Sequence, residues 1–183
     1  MNALIQKDFY RYGIKDIGLL GLVKAYKIPG AIFMYFHRIA HENKKNSIKG
    51  ALSRIILRYL SYKFGFQIPV SVKIGEGFYI GHFGTVVISP YAVIGKNCNI
   101  AHGVTIGRIS NGNRKGTPKI GDFVWIGTNA IIVGNINIGN NILIAPGAFV
   151  NVNVPDNSMV IGNPGQIILK DNPADGYINN ILD

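Results

Sequence analysis

The sequence predicts a mainly β fold: a parallel β-helix preceded by an α-helical region. Three regularities point to it. Isoleucine or valine recurs every sixth residue along the C-terminal two thirds, at Ile68, Ile74, Ile80, Ile88, Ile94, Ile100 and Ile106, then at Ile120, Ile126, Ile132, Ile138, Ile144 and Val150. Glycine usually follows, at Gly75, Gly81, Gly95, Gly107, Gly121, Gly127 and Gly139. A second apolar and often small residue comes four places after the first, as in Val72, Ala92, Cys98, Val104, Ala130, Ile142 and Ala148. Neither the α-helical period nor that of a simple strand sustains a repeat of six. A β-helix does, because each hexad makes one short flat side of a coil, with the aliphatic side chain inward and the amides paired between coils. The glycine is expected to tolerate the backbone of a tight corner.

The elements follow in order. Helices are expected over 3–11, 15–27, 30–42 and 47–63, with Pro29-Gly30 as one break. Residues 1–65 thus form a helical region, 66–155 the β-helix and 156–183 a C-terminal extension. Two departures interrupt the hexads. Ile80 to Ile88 is two residues too long, which places a bulge at Phe83 to Val87. Between Ile106 and Ile120 lies a polar, glycine-rich insertion, residues 108–118, expected to leave the solenoid as an exposed loop, where function tends to concentrate in repeat proteins.

Composition narrows the class. The 183 residues accommodate one solenoid and a smaller element. A single cysteine excludes an intramolecular disulfide, and with no evident signal peptide the expected location is cytoplasmic. The apolar stretch Ile17 to Phe36 is interrupted by Lys24, Lys27 and Pro29, which favours packed helices over a membrane span. The net charge of +10 is concentrated at the N-terminus, where residues 1–65 hold twelve Lys or Arg against Asp8, Asp16 and Glu42. Three readings compete for it: an anionic substrate, a solvated helical face, or peripheral association with an anionic membrane. The pattern around Leu52, Ile55, Ile56 and Leu60 resembles a basic amphipathic helix. No nucleic-acid motif accompanies the charge.

Histidine gives the sharpest site. His82 and His102 each lie two residues after an anchor, Ile80 and Ile100, and are separated by one coil plus the bulge. They therefore fall at one corner of neighbouring coils, where an imidazole can serve as a general base. A closed metal site needs three or four ligands, and no third His, Cys or acid shares that corner, so no metal is expected. His37 and His41, four apart on a helix, are expected to pack on the solenoid, and Cys98 to fill its core.

The segments Val72–Ile88, Gly103–Gly107, Thr117–Asp122 and Val160–Pro164, with the helical lead-in Ile28–His41, resemble the serine acetyltransferase branch of the hexapeptide-repeat acyltransferases. The resemblance covers roughly residues 25–170. It implies a left-handed β-helix, a homotrimer that pairs further as a dimer of trimers in one version, and acetyl-CoA bound in a groove between subunits. It also implies that His82 deprotonates the acceptor hydroxyl, with His102 beside it. For the cofactor it points to Gly107, Gly127, Thr128, Ala145 and Pro146; the family's basic residue after the Gly-x-Pro motif is replaced by Gln166, so Arg108, Lys119 or Lys170 is expected to meet the phosphates instead.

Some positions depart from the family pattern. Serine acetyltransferases carry an aspartate before the catalytic histidine, where this chain has Gly81. A second, histidine-orienting aspartate aligns with Gln67, and an Arg-His pair with Gly116-Thr117. Those groups recognise the charges of serine or support the base, so their loss favours a sugar hydroxyl, as in acetyltransferases that modify surface polysaccharides. Serine or another small hydroxyl metabolite is the alternative acceptor. A non-catalytic binding solenoid is the third reading.

Overall fold

The computed structural model describes residues 2–16 and 18–181; Ile17, the start of the apolar stretch, lies outside them. Four helices come first: α1 (Ala3–Arg11), α2 (Leu19–Tyr26), α3 (Pro29–Glu42) and α4 (Ile48–Phe64). Their ends have local causes. The side-chain oxygens of Asn2 and Ser47 accept the amides of Leu4 and Gly50, capping α1 and α4. Pro29 opens α3, where a missing N–H costs nothing. Gly65, at φ +76°, ends α4 in the left-handed region. The second helix begins later than residue 15 because Gly18 takes φ +73° and breaks the run.

Successive coils of a left-handed parallel β-helix follow. The first contains β1 (Phe66–Gln67), β2 (Lys73–Ile74) and β3 (Tyr79–Ile80), the second β4 (Val86–Ile88), β5 (Val93–Ile94) and β6 (Asn99–Ile100). The third contains β7 (Thr105–Gly107), β8 (Lys119–Ile120) and β9 (Val124–Ile126), the fourth β10 (Ile131–Val133), β11 (Asn137–Ile138) and β12 (Ile142–Ile144). Then come β13 (Phe149–Val150) and β14 (Ser158–Ile161), which turns back into the antiparallel β15 (Gln166–Leu169). The strands stack into three faces: β1-β4-β7-β10-β13, β2-β5-β8-β11, and β3-β6-β9-β12-β14. All thirteen hexad anchors point inward, and all but Ile74 are fully buried.

The glycines after the anchors owe their place to a cause other than corner conformation. A Cβ on Gly75 would lie 2.5 Å from the Gly95 carbonyl oxygen of the next coil, and one on Gly95 would lie 2.4 Å from that of Gly121. None of the seven takes a positive φ. Close coil-to-coil approach excludes a side chain at Gly75, Gly95, Gly121, Gly127 and Gly139, whereas Gly81 and Gly107 meet no backbone of the next coil so closely. The left-handed corners fall instead to Asn97, Phe123, Asn129, Asn141 and Asn157, together with Gly77, Gly103 and Gly147.

The helices close the base of the solenoid. Ile32, Phe33, Met34, Leu57 and Leu60 join its core, and Phe33 meets Phe66 edge-on at 5.1 Å. Arg38 of α3 is buried. It donates to Asp8 Oδ2 (2.7 Å) and to the carbonyls of Ile74 (2.6 Å) and Gly75 (2.5 Å), tying α1, α3 and the first coil together. The C-terminal tail returns along the outer side of the third face. Asn99 donates to the Tyr177 carbonyl, Tyr177 packs on Trp125 and Arg11 donates to the Asn179 carbonyl.

Candidate active site

Ile80 and Ile100 are paired partners in β3 and β6. Two residues on from each, His82 and His102 therefore share the edge where the third face turns into the first. Their ring centroids are 5.8 Å apart and the rings nearly perpendicular, at 81°. Both side chains are exposed. The register continues from Ile100 to Ile126 and from Ile126 to Ile144, so Thr128 and Pro146 extend the column. Among the described residues, neither imidazole hydrogen-bonds within the chain, and neither do the backbone N–H groups of His82, His102 and Thr128. One edge thus presents two unengaged proton acceptors and three unengaged donors. That combination suits removal of a hydroxyl proton beside stabilisation of a developing oxyanion.

The strand that carries His82 is held from below by residues that the hexad pattern does not mark. The Ile80 amide donates to Tyr12 Oη (2.8 Å), and the Tyr12 and Tyr79 rings lie 4.5 Å apart. Gly30, at the start of α3, packs so tightly that a Cβ would lie 2.4 Å from the Ile80 carbonyl oxygen. The bulge before β4 stays close to α4, with the Gly84 amide donating to the Phe64 carbonyl. The only advance signal for these contacts is the Pro29-Gly30 pair.

The other candidate residues scatter over the coil. Gly127, Thr128, Ala145 and Pro146 lie along the histidine edge. Gly107 and Arg108 lie at the far side of the first face, where the Arg108 guanidinium stacks over Tyr91 at 5.7 Å. Up to about 20 Å of strand separates them from His102. Lys119 is exposed on the second face, and the Lys170 amide donates to Asn157 at the edge between second and third faces. A single chain does not bring Arg108, Lys119 or Lys170 to the histidines. The loop is exposed but folds back, with Ile109 and Gly116 bridged and the Asn135 amide donating to the Arg114 carbonyl.

His37, His41 and Cys98 are structural. His37 is buried and shares a hydrogen bond with the Pro69 carbonyl through Nε2 (3.1 Å), while His41 meets the Val70 carbonyl (2.7 Å). Burial pushes the Cys98 thiol up to about 12, so it fills core rather than acting as a nucleophile.

No protein-family model matches the sequence. The chain is similar to serine acetyltransferase 4 of Arabidopsis thaliana, with 36% identity over 92% of this chain and 47% of that protein. It spans about half the length of such plant relatives. Among solved structures, serine acetyltransferase of Neisseria gonorrhoeae in complex with serine superimposes with a TM-score of 0.72 at 32% identity, over 90% of this chain and 67% of that one. The enzyme of Brucella abortus in complex with coenzyme A gives 0.75 at 29% identity, over 92% and 67%.

Proposed function

Because the chain belongs to the hexapeptide-repeat acyltransferase superfamily, as a relative of serine acetyltransferases, we propose that it is an acetyl-CoA-dependent O-acetyltransferase. The observation that carries this reading is the edge formed by His82, His102 and Thr128. Acetyl-CoA supplies an activated thioester. His82 takes the proton of the acceptor hydroxyl as its oxygen attacks the carbonyl carbon, and returns it to the departing thiolate. The unengaged amides of His102 and Thr128 stand beside the base as donors for the oxyanion. Small residues along the same edge (Gly81, Ala145, Gly147) leave room for an extended ligand.

A second copy completes this groove. The outer side of the first face carries Gln67, Val87, Thr105, Ile131 and Phe149 in one register column, apolar at three positions and polar at Gln67 and Thr105, a mixed surface of the kind a subunit contact takes. Packing there in a homotrimer brings one chain's Arg108 loop towards another chain's histidines.

The relatives favour serine as the acceptor. A sugar hydroxyl is supported by a different observation: Glu76, Asp122 and Asp156, the acids of the coils, all lie on the edge between second and third faces, away from the histidines. The positions of the family's charged serine ligands hold Gly81 and Gly116-Thr117, and that of its histidine-orienting aspartate holds Gln67.

Thiol release from acetyl-CoA, measured with L-serine and with a panel of nucleotide sugars, separates the two acceptors. His82→Ala is expected to lower turnover by about 10²- to 10⁴-fold with unchanged oligomeric mass and melting temperature. Turnover within a few-fold of the parent would overturn the general-base assignment.

A further inference from the structure

We infer that the outer face of α4, with the adjoining edge of α2, seats this protein on an anionic lipid surface. On α4, Ile48, Leu52, Ile55, Tyr59 and Tyr62 follow one another at spacings of four, three, four and three residues. Their relative exposures are 90, 56, 68, 62 and 76%. The residues that α4 buries, Gly50, Ser53, Leu57 and Leu60, lie on its opposite side, about 160° away at the α-helical pitch. One apolar face is explained by packing on α3 and the solenoid. The other has no covering among the described residues. A helix that is apolar on two opposite faces requires a second apolar environment.

Charge selects the occupant. Lys49 and Lys63 flank the stripe on one side and Arg58 on the other, and α4 contains no acid. Arg58 and Lys63 lie over Tyr62 and Tyr59, at 5.8 Å each. α2 repeats the pattern, with exposed Leu19, Leu20, Val23 and Tyr26 beside Lys24 and Lys27. Leu19 and Lys49 line a common depression, which joins the two helices into one surface. Of the three acids of this region, Asp8 is buried against Arg38, Asp16 offsets Lys24, and Glu42, which accepts from Asn2, lines the depression beside Lys49, leaving Lys27, Lys49, Arg58 and Lys63 without an ion pair among the described residues. If a second copy covered the stripe face to face, Lys49, Arg58 and Lys63 would meet their own copies with no counter-charge. A bilayer with anionic headgroups accepts both features, taking the aliphatic side chains below the headgroups, tyrosines at their level and cations above. Among the described residues no helix is long and apolar enough to cross a membrane, so the attachment is to its surface.

Co-sedimentation of the full chain with phosphatidylcholine vesicles, with and without about 30 mol% phosphatidylglycerol, tests this. Binding is expected only to the anionic vesicles, and is expected to fall at least tenfold between about 0.1 and 0.5 M NaCl. Ile55→Glu, an exposed position, is expected to abolish it with the melting temperature retained; if that variant misfolds, Lys49→Glu with Arg58→Glu should weaken binding at least tenfold. Equal binding to neutral vesicles, or none to anionic ones, would overturn the inference. So would loss of oligomeric mass in Ile55→Glu without a vesicle effect, which would assign the stripe to a second copy. None of these outcomes depends on the acetyltransferase reading.

Discussion

Lowering the pH should destabilise this protein through one buried imidazole. His37 sits inside α3 with Phe33 on one side and the first coil on the other, and it is 1% exposed. Its Nε2 faces the Pro69 carbonyl, while Nδ1 has no hydrogen-bond partner. Nε2 therefore donates, and a second proton would have to enter at Nδ1, in apolar surroundings. Burial, reinforced by the nearby Arg38 and His41 charges, pulls the group from 6.5 to about 4. The sign follows from linkage. Above pH 6.5 both folded and unfolded chains hold His37 neutral. Between 6.5 and 4 only the unfolded chain gains the proton, so stability falls by about 1.4 kcal/mol per pH unit. Between pH 7 and pH 5 the loss is about 2 kcal/mol, and by pH 4 about 3 kcal/mol. Urea denaturation of the parent and of His37→Gln at a series of pH values measures it. The variant keeps a side-chain donor for Pro69 and removes the titration. Its stability relative to the parent should rise by about 2 kcal/mol from pH 7 to pH 5. Parallel curves over that range would refute the assignment.

Other perturbations follow from the same contacts. Gly30→Ala places a methyl 2.4 Å from the Ile80 carbonyl oxygen and 2.6 Å from Tyr12 Oη. It should cost about 1–3 kcal/mol and, by shifting the strand before His82, lower kcat as well; a fully active variant would show that the strand is not positioned from α3. Asp8→Ala strands the buried Arg38 guanidinium without its carboxylate. A loss of about 3–5 kcal/mol is expected by denaturation, and the double variant Asp8→Ala with Arg38→Met should recover part of it.

The hexad period by itself determined the β-helix, the inward set of side chains and the juxtaposition of His82 with His102. It could do so because a stacked repeat turns a fixed sequence spacing into a fixed spatial neighbour one coil away. The helix limits were also largely legible, since Asn2, Ser47, Pro29 and Gly65 act on their immediate neighbours. The cause of the recurring glycine spacing was not. Corner conformation and coil-to-coil approach call for the same residue, and only the 2.4–2.6 Å distances to the next coil separate them at Gly75, Gly95 and Gly121. The supports of the site were hidden for another reason. Tyr12 reaches Ile80 across 68 residues, and Arg11 reaches Asn99 and Asn179 across 88 and 168. Such contacts join the non-repeating ends of the chain to the solenoid, so no period encodes them. The tertiary fold likewise decided that α4 has one apolar face too many. Its sequence shows the apolar residues, but only packing shows which of them α3 and the first coil leave uncovered.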